Sequence, residues 1–112
     1  MRVLVTGGRS YANRELVQVV LDNANATAII AGGAKGADAL AADWAIANGV
    51  QLHEFAADWA GYGPAAGPLR NQRMLDEGKP DRVVAFPGGK GTADMVRRAR
   101  KAGVEVFEVE VL

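Results

Sequence analysis

The chain of 112 residues has no cysteine, a single histidine and few aromatic residues. The absence of cysteine excludes disulfides, thiolate metal sites and cysteine nucleophiles. His53 has no second histidine with which to hold a metal, so we expect neither a metal nor another cofactor. The sequence also lacks an apolar run typical of a membrane span or a signal peptide. We therefore expect a cytoplasmic protein without a membrane partner.

An excess of one charge is also missing, because 13 Lys and Arg residues balance 13 Asp and Glu residues. Proteins that bind nucleic acid through their overall field carry an excess of positive charge. We therefore do not expect a nucleic-acid partner. Any site for an anion must be formed locally.

Glycine is abundant, and most of the 14 glycines stand at the ends of short apolar runs. The runs at residues 2–6, 26–31 and 82–86 predict strands buried on both faces of a parallel sheet. Two further strands are expected near residues 51–55 and 104–109. Three glutamates interrupt the last of these runs, which predicts an edge strand.

The stretches between the strands have helical spacing of their apolar residues. Gly49, Gly78 and Gly103 follow them and are expected to end helices. The alternation predicts an α/β fold, a Rossmann-like three-layer sandwich with a mostly parallel five-stranded sheet. We expect residues 1–112 to form one domain.

Gly-Gly pairs follow the first, second and fourth predicted strands. Ligands of open α/β sheets bind beyond the carboxyl ends of the strands, where glycine turns and helix N-termini present backbone N–H groups to phosphate. One such glycine is more often a simple turn residue, but three pairs at one edge favour a binding site. The residues expected to surround a phosphate are Gly7, Gly8, Gly32, Gly33, Pro87, Gly88, Gly89, Lys90, Gly91 and Thr92.

Two motifs carry a resemblance to a known family. Pro68-Leu69-Arg70-Asn71-x-x-Met74 and Pro87-Gly88-Gly89-x-Gly91-Thr92 resemble the paired motifs of the LOG family, lysine-decarboxylase-like proteins that include cytokinin-activating phosphoribohydrolases. The wider group is the SLOG superfamily, and residues 31–38, 57–59 and 91–96 make the chain more similar to its short YspA branch. The resemblance spans nearly the whole chain and implies a homo-oligomer, a dimer or larger.

The resemblance also implies which residues would be catalytic. The family's hydrolases remove a base from a nucleoside 5′-monophosphate with the arginine of the first motif and a glutamate three residues after the threonine of the second. Arg70 matches the arginine, but Met95 stands at the glutamate position. Asp94 lies one residue earlier, a rotation of about 100° on a helix. If the chain is an enzyme, Arg70 and Asp94 are its expected catalytic residues.

Other side chains are candidates for ligand contacts. Arg9 and Lys35 follow the first two strands and are expected to face a phosphate, while Asn71 is expected to contact the ligand or a neighbouring loop. Trp59 lies in the long loop at residues 56–67 and is expected either to stack on a base or to pack the loop. Asp38 is expected either to stabilise a helix N-terminus or to act as a carboxylate of the site.

The sequence thus predicts a domain that binds a nucleotide-derived small molecule as a sensor, carrier or sink. The alternative is a LOG-like nucleoside 5′-monophosphate phosphoribohydrolase that cleaves the N-glycosidic bond. Met95 at the glutamate position favours binding.

Overall fold

The sheet organises the structure, a computed structural model that describes residues 1–110. Its strands are β1 (Arg2–Thr6), β2 (Ala28–Ala31), β3 (Gln51–Glu54), β4 (Arg82–Ala85) and β5 (Glu105–Glu108). Their order across the sheet is β3-β2-β1-β4-β5, and all four neighbouring pairs are parallel. The predicted α/β class and five-stranded parallel sheet are confirmed.

The helices connect successive strands and cover both faces of the sheet. They are α1 (Arg14–Asp22), α2 (Ala37–Ala47), α3 (Trp59–Tyr62), α4 (Ala66–Asp76) and α5 (Lys90–Lys101), with a short 3₁₀ helix at Gly63–Ala65. Within residues 1–110, no helix has the length and apolar character that a membrane crossing requires.

Alternating residues of the strands divide the core into two clusters. Val3 and Val5 of β1 point to the face covered by α1 and α2, where the Trp44 side chain packs. Leu4, between them, points to the opposite face, where it meets Met74 of α4 and Met95 of α5. This is the period-2 alternation of a strand buried on both faces, and it produces the predicted three layers.

The three glycines each stand directly after the C-cap residue of a helix, as predicted, and two of them have the expected backbone conformation. Gly49 and Gly103 have φ of +65° and +77°, the left-handed conformation that glycine adopts most easily. Gly78 was expected in the same role, but the left-handed residue is Lys79, with φ of +49°. Gly78 is needed for another reason, because an added Cβ would collide with the carbonyl oxygen of Met74.

Strand β5 lies at the edge of the sheet, as predicted. Its two glutamates form ion pairs within the chain: Glu105 with Arg82 at 2.5 Å and Glu108 with Arg100 at 2.8 Å. These charged side chains lie along an edge strand whose backbone groups would otherwise be free to pair with another strand.

The long loop predicted at residues 56–67 is more regular than expected. Asp58 caps α3, its Oδ1 accepting a hydrogen bond from the backbone N–H of Gly61 at 2.9 Å. The 3₁₀ helix follows and leads directly into α4. Local caps and turns of this kind form without an apolar periodicity, which is why the sequence pattern did not reveal them.

The strand order places a switch point between β1 and β4. From β1 the chain moves outward through β2 to β3, then returns to the other side of β1 for β4 and β5. In open α/β sheets the connections diverge at such a point and leave a crevice beyond the strand ends.

Candidate functional site

The turns after β1, β2 and β4 pack directly against one another at the switch point. The backbone N–H of Gly8 donates to the carbonyl oxygen of Pro87 at 2.9 Å, and the Gly8 carbonyl accepts from the N–H of Ala37 at 3.2 Å. An added Cβ at Gly7 would collide with Ala37, and one at Gly36 would collide with Gly8. Glycine is therefore required here for the close approach of three backbone segments.

A cavity of about 480 Å³ opens beside these turns. Its volume lies within the range of about 300–1,000 Å³ that is usual for small-molecule sites. The residues that line it are Thr6, Gly7, Gly8, Arg9, Ala34, Asp38, Trp59, Pro64, Gly67, Pro68, Arg70, Asn71, Met74, Gly89, Lys90, Gly91, Thr92 and Asp94.

Three helices begin at this cavity without a side-chain cap. The N-cap residues are Gly36 for α2, Ala65 for α4 and Gly89 for α5, and none makes a side-chain hydrogen bond to its helix. The other two helices, α1 and α3, are capped by Asn13 and Asp58. The first N–H groups of α2 and α4 have backbone acceptors in Gly8 and Gly63. Within residues 1–110, those of Lys90, Gly91 and Thr92 at the start of α5 have none.

Arg70 extends from α4 across the carboxyl end of β2. Its Nη1 donates to the carbonyl oxygen of Gly32 at 2.7 Å and to that of Phe55 at 3.4 Å, and its Nε donates to Oδ1 of Asn71 at 3.2 Å. Within residues 1–110 its Nη2 has no hydrogen-bond acceptor. Burial lowers the pKa of Arg70, the nearby Asp38 opposes this change, and the charge of Arg9 adds to it. These hydrogen bonds hold the guanidinium in place at the cavity wall.

Asn71 and Asp94 join α4 to α5. Nδ2 of Asn71 donates to the carbonyl oxygen of Gly91 at 3.2 Å and to Oδ2 of Asp94 at 3.0 Å. Asp94 also accepts from Arg97 at 2.6 Å and from Arg98 at 2.9 Å. Both Asn71 and Asp94 touch the cavity, and three side chains already use the Asp94 carboxylate.

Three positive side chains at the cavity have no ion-pair partner in the described part of the chain. Arg9, Arg70 and Lys90 line the cavity, whereas the six ion pairs of residues 1–110 involve other arginines. The cavity also has two carboxylates in its wall, Asp38 and Asp94, and Asp94 is paired with Arg97 and Arg98. The positive side chains therefore outnumber the negative ones in the wall, a balance that favours an anion.

Trp59 forms part of the wall through α3. Its ring is 48% exposed and lies under the guanidinium of Arg9, whose Cζ is 5.6 Å from the ring centroid. An added Cβ at Gly67 would lie 3.1 Å from the Trp59 ring, so a glycine at that position leaves room for the ring. The ring therefore packs against Gly67 and lines the cavity, and its stacking on a base stays a prediction.

Asp38 is the other buried carboxylate of the cavity and is only 8% exposed. Its Oδ2 accepts from the backbone N–H of Ala34 at 3.2 Å. Burial raises the pKa of Asp38 above the usual range, and the charge of Glu54 adds to the rise. The backbone amides of Ala34 and Gly32 and the charge of Arg70 lower it without cancelling the effect of burial.

Five predicted site residues do not line the cavity. Gly32 lies behind the Arg70 guanidinium. Gly33, which has φ of +72°, and the exposed Lys35 lie outside the cavity wall. Pro87 and Gly88 pack behind Gly8 and support the turn. The structure brings the three predicted turns together, but the sequence pattern did not distinguish residues that face the cavity from those that support it.

Comparisons with known proteins agree with this architecture. Residues 1–62 match the YspA, cpYpsA-related SLOG family. The chain is also 37% identical over 120 residues to the Gene 61 protein of Mycobacterium phage D29, covering 95% of this chain and 94% of that protein. The chain belongs to the SLOG family.

The fold of this SLOG protein is shared with the DNA processing protein A (DprA) of Streptococcus pneumoniae. The TM-score is 0.80 at 23% sequence identity, and the match covers 99% of this chain and 50% of DprA. This chain thus spans about half the length of DprA. At this identity the similarity establishes the Rossmann-like fold.

Met95, which stands at the glutamate position of the LOG hydrolases, points away from the cavity of this SLOG protein. Its side chain is fully buried beside Leu4 and Met74. The register of α5 therefore carries position 95 to the core and leaves position 94 at the cavity.

The sequence reasoning missed several wall residues of the SLOG protein. Thr6 ends β1, Pro64 belongs to the 3₁₀ helix, and Met74 reaches the cavity from the core of the sheet. Thr6 could have been found, because it is the last residue of the strand that precedes the first glycine turn. Met74 and Pro64 come from elements whose placement the sequence does not show.

Proposed function

We propose that this SLOG protein binds a nucleotide or nucleotide-derived small molecule through its glycine turns and Arg70, and acts as a sensor, carrier or sink. The observation that carries the proposal is that three positive side chains without ion-pair partners in residues 1–110 line the same cavity as the uncapped N-terminus of α5. Both features favour a bound anion.

The phosphate of the ligand binds at the start of α5. Backbone N–H groups from Gly89 to Thr92 and the Thr92 hydroxyl are its donors, and Lys90 adds positive charge. The Arg70 guanidinium donates to the same group. The exposed Trp59 ring provides a face on which a base stacks.

The contacts of Asp94 argue against this residue as the catalytic carboxylate of a hydrolase. The alternative function, a nucleoside 5′-monophosphate phosphoribohydrolase, needs a carboxylate that is free to act on the scissile bond. The Asp94 carboxylate accepts hydrogen bonds from Asn71, Arg97 and Arg98. We therefore assign Asp94 to positioning α4 against α5, and its catalytic role stays a prediction.

The cavity favours a small molecule over nucleic acid as the ligand. The positive charge is confined to a cavity of about 480 Å³, and the chain as a whole has no net charge with which to follow a phosphate backbone. The structural similarity to DprA supports the fold of such a domain. We propose that residues 1–112 form a single domain that binds the nucleotide.

Two further expectations belong to the same proposal. The family resemblance supports a homo-oligomer, a dimer or larger, and the proposed ligand class supports a cytoplasmic location. Native mass spectrometry measures the mass of the assembly directly. The monomer mass at micromolar concentration would contradict the oligomer.

The same method tests the ligand. The purified protein is mixed with nucleoside monophosphates, nucleoside diphosphates and ADP-ribose, and spectra are recorded at once and after prolonged incubation. Retention of an intact nucleotide supports the binding function. Conversion to free base and sugar phosphate, faster than in a protein-free control, would establish the hydrolase instead, and no adduct with any compound would refute a phosphate site.

Replacement of Arg70 tests the same site by mutation. Arg70→Ala removes a charged donor from the cavity and is expected to weaken the binding of a phosphorylated ligand by about 1.5–3 kcal/mol. Arg73→Ala is the matched control, because Arg73 lies on the same helix, is exposed and pairs with Glu77 outside the cavity. Titration calorimetry measures both variants, and equal affinities would remove Arg70 from the site.

A further inference from the structure

The carboxylate of Asp38 is a buried charged group that the phosphate site does not use. It lies in the first turn of α2, on the wall of the cavity. Within residues 1–110, no side chain donates a hydrogen bond to it and no ion pair within 4.0 Å reaches it. The backbone N–H of Ala34 is its hydrogen-bond donor, at 3.2 Å.

Asp38 has fewer hydrogen-bond donors than Asp94, the other buried carboxylate of the cavity. Both carboxylates are buried at the cavity, yet Asp94 receives hydrogen bonds from three side chains. An ionised carboxylate has about four lone-pair sites. Asp38 therefore retains acceptor capacity at a position that faces the ligand.

Gly32 shows that Asp38 and Arg70 converge. An added Cβ at Gly32 would collide with the Arg70 guanidinium and would come within 3.0 Å of Oδ2 of Asp38. The two side chains thus flank Gly32 and both reach the cavity wall, a positive donor beside a negative acceptor. A ligand that satisfies both must present an acceptor and a donor within a few ångströms of each other.

We propose that Asp38 accepts hydrogen bonds from the ribose hydroxyls of the ligand, so that the cavity selects ribonucleotides over 2′-deoxyribonucleotides. The inference rests on the proposed nucleotide-binding function. The ribose is joined directly to the phosphate, so its hydroxyls are the donors that a carboxylate beside Arg70 reaches. The base extends further and has the Trp59 ring available to it.

The environment of Asp38 supports this role. Burial raises the pKa of Asp38, which shows that water no longer solvates the carboxylate fully. Hydroxyl donors from a ligand replace that lost solvation. A ligand without the hydroxyl leaves the acceptor unpaired, and discrimination by a buried polar group depends on this difference.

Titration calorimetry with AMP and 2′-deoxy-AMP tests the proposal. The wild-type protein is expected to bind AMP at least ten times more tightly than 2′-deoxy-AMP. Asp38→Ala is expected to bind the two compounds with equal affinity. Ribose 5-phosphate and 2-deoxyribose 5-phosphate repeat the comparison without a base, so that a protein that does not accept adenine is still tested.

Two further variants complete the test, a conservative substitution of Asp38 and a control on the same helix. Asp38→Asn keeps the shape of the side chain and an acceptor for Ala34, and it is expected to lower the ribose preference at least threefold even if Asp38→Ala does not fold. Asp43→Asn is the control, because Asp43 lies on the same helix, is exposed and pairs with Arg14 away from the cavity. It should keep the full preference.

The outcomes separate the two proposals. Binding of ribo- and deoxy-compounds within twofold of each other in the wild type would overturn the role of Asp38 and leave the nucleotide site intact. A ribose preference that survives in both Asp38 variants would also overturn the role of Asp38.

A further compound, purine ribonucleoside monophosphate, tests whether Asp38 contacts the base instead, because it lacks the amino group of AMP. A loss of affinity that follows this amino group and disappears in Asp38→Ala would assign Asp38 to the base. Failure of every phosphorylated compound to bind the wild type would overturn both proposals.

Discussion

Gly32 is the residue on which the position of Arg70 depends most directly. A methyl group at position 32 would collide with the end of the Arg70 side chain, which can move aside. We therefore expect Gly32→Ala to weaken nucleotide binding as much as Arg70→Ala does, and to lower the free energy of unfolding because the displaced guanidinium loses its hydrogen bonds to Gly32 and Phe55. Titration calorimetry and urea unfolding measure the two effects.

A double-mutant cycle provides the control for this prediction. If the methyl group acts by displacing Arg70, then Gly32→Ala has no further effect on affinity in the Arg70→Ala background. Additive losses of affinity would show that the glycine acts independently of Arg70.

Asp38 links the site to the pH dependence of stability. Burial raises its pKa in the folded protein above that of the unfolded chain, despite the opposing charge of Arg70 and with the help of Glu54. The folded state then binds more protons than the unfolded state, so the contribution of Asp38 to stability falls as the pH rises from about 4 through the raised pKa.

Asp38→Asn does not titrate and removes this loss. The stability of the variant relative to the wild type is expected to increase between about pH 4 and pH 7. Urea unfolding of both proteins across that range measures the difference, with Asp43→Asn as the exposed control. Parallel curves for wild type and Asp38→Asn would contradict the prediction.

For single residues of the site, the sequence predicted which residues are candidates better than it predicted which of them are in contact. Arg70 was found because its motif is specific. The convergence of Asp38 with Arg70 depends on the Gly32 turn and on the placement of α4 over the end of β2, which bring together residues 32 positions apart. The sequence does not show that contact, so Asp38 was left with two interpretations.

Glycines of the turns and helix starts fall into two physical classes. Gly36 has φ of +76° and lies against the backbone of Gly8, so its conformation and the space beside it are both restricted to glycine. At Gly91, in the first turn of α5, an added Cβ would point into open space and meet no other element within residues 1–110. The first glycine supports the fold, and the second lies at the wall of the cavity with space beside it.

Alanine substitutions distinguish the classes. Gly36→Ala is expected to destabilise the protein by more than about 1–3 kcal/mol, the usual cost of a sparsely populated backbone conformation, because Gly36 has φ of +76° and ψ of −127° and a collision adds to that cost. Gly91→Ala is expected to raise stability by up to about 1 kcal/mol through helix propensity, while weakening phosphate binding. Thermal unfolding and calorimetry measure the pair. A stability loss in Gly91→Ala, or none in Gly36→Ala, would reverse the assignment.

The elements themselves were largely predictable. Buried apolar runs such as β1 and β4 identify parallel strands, and the apolar spacing of α1 and α2 identifies helices. The segment 56–67 was not predictable, since α3 depends on the single cap of Asp58 and the 3₁₀ helix has no apolar face in the core.

Ligand binding should be visible in the stability of the whole molecule. A nucleotide that binds only the folded state stabilises it by about 2.7 kcal/mol at a concentration of 100 Kd. For a domain of this size each kcal/mol raises the melting temperature by about 4–8 °C, so we expect a rise of roughly 10–20 °C. Differential scanning calorimetry measures it.

Arg70→Ala should show at most half of that rise at the same ligand concentration. Arg73→Ala should show nearly all of it. An equal rise in both variants would place the ligand outside the cavity.

At the scale of the molecule, the alternation of strands and helices predicted a parallel sheet but not its order. The order follows from burial. β1 is almost wholly apolar and lies at the centre, whereas β3 carries Gln51 and Glu54 and β5 carries two glutamates, so both lie at edges. The glutamates of β5 indicated this for one edge, and the shorter polar pattern of β3 was not interpreted.

The two tryptophans stand in opposite environments. Trp44 is buried among α1 and α2 and donates to Asp22 at 2.8 Å, while Trp59 stands half exposed in the cavity wall beneath Arg9. Their fluorescence therefore separates into a core signal and a cavity signal. The protein contains its own optical probe: a Trp44→Phe variant would emit from Trp59 alone, and the arrival of an unlabelled ligand would register as a change in the intensity and colour of that emission.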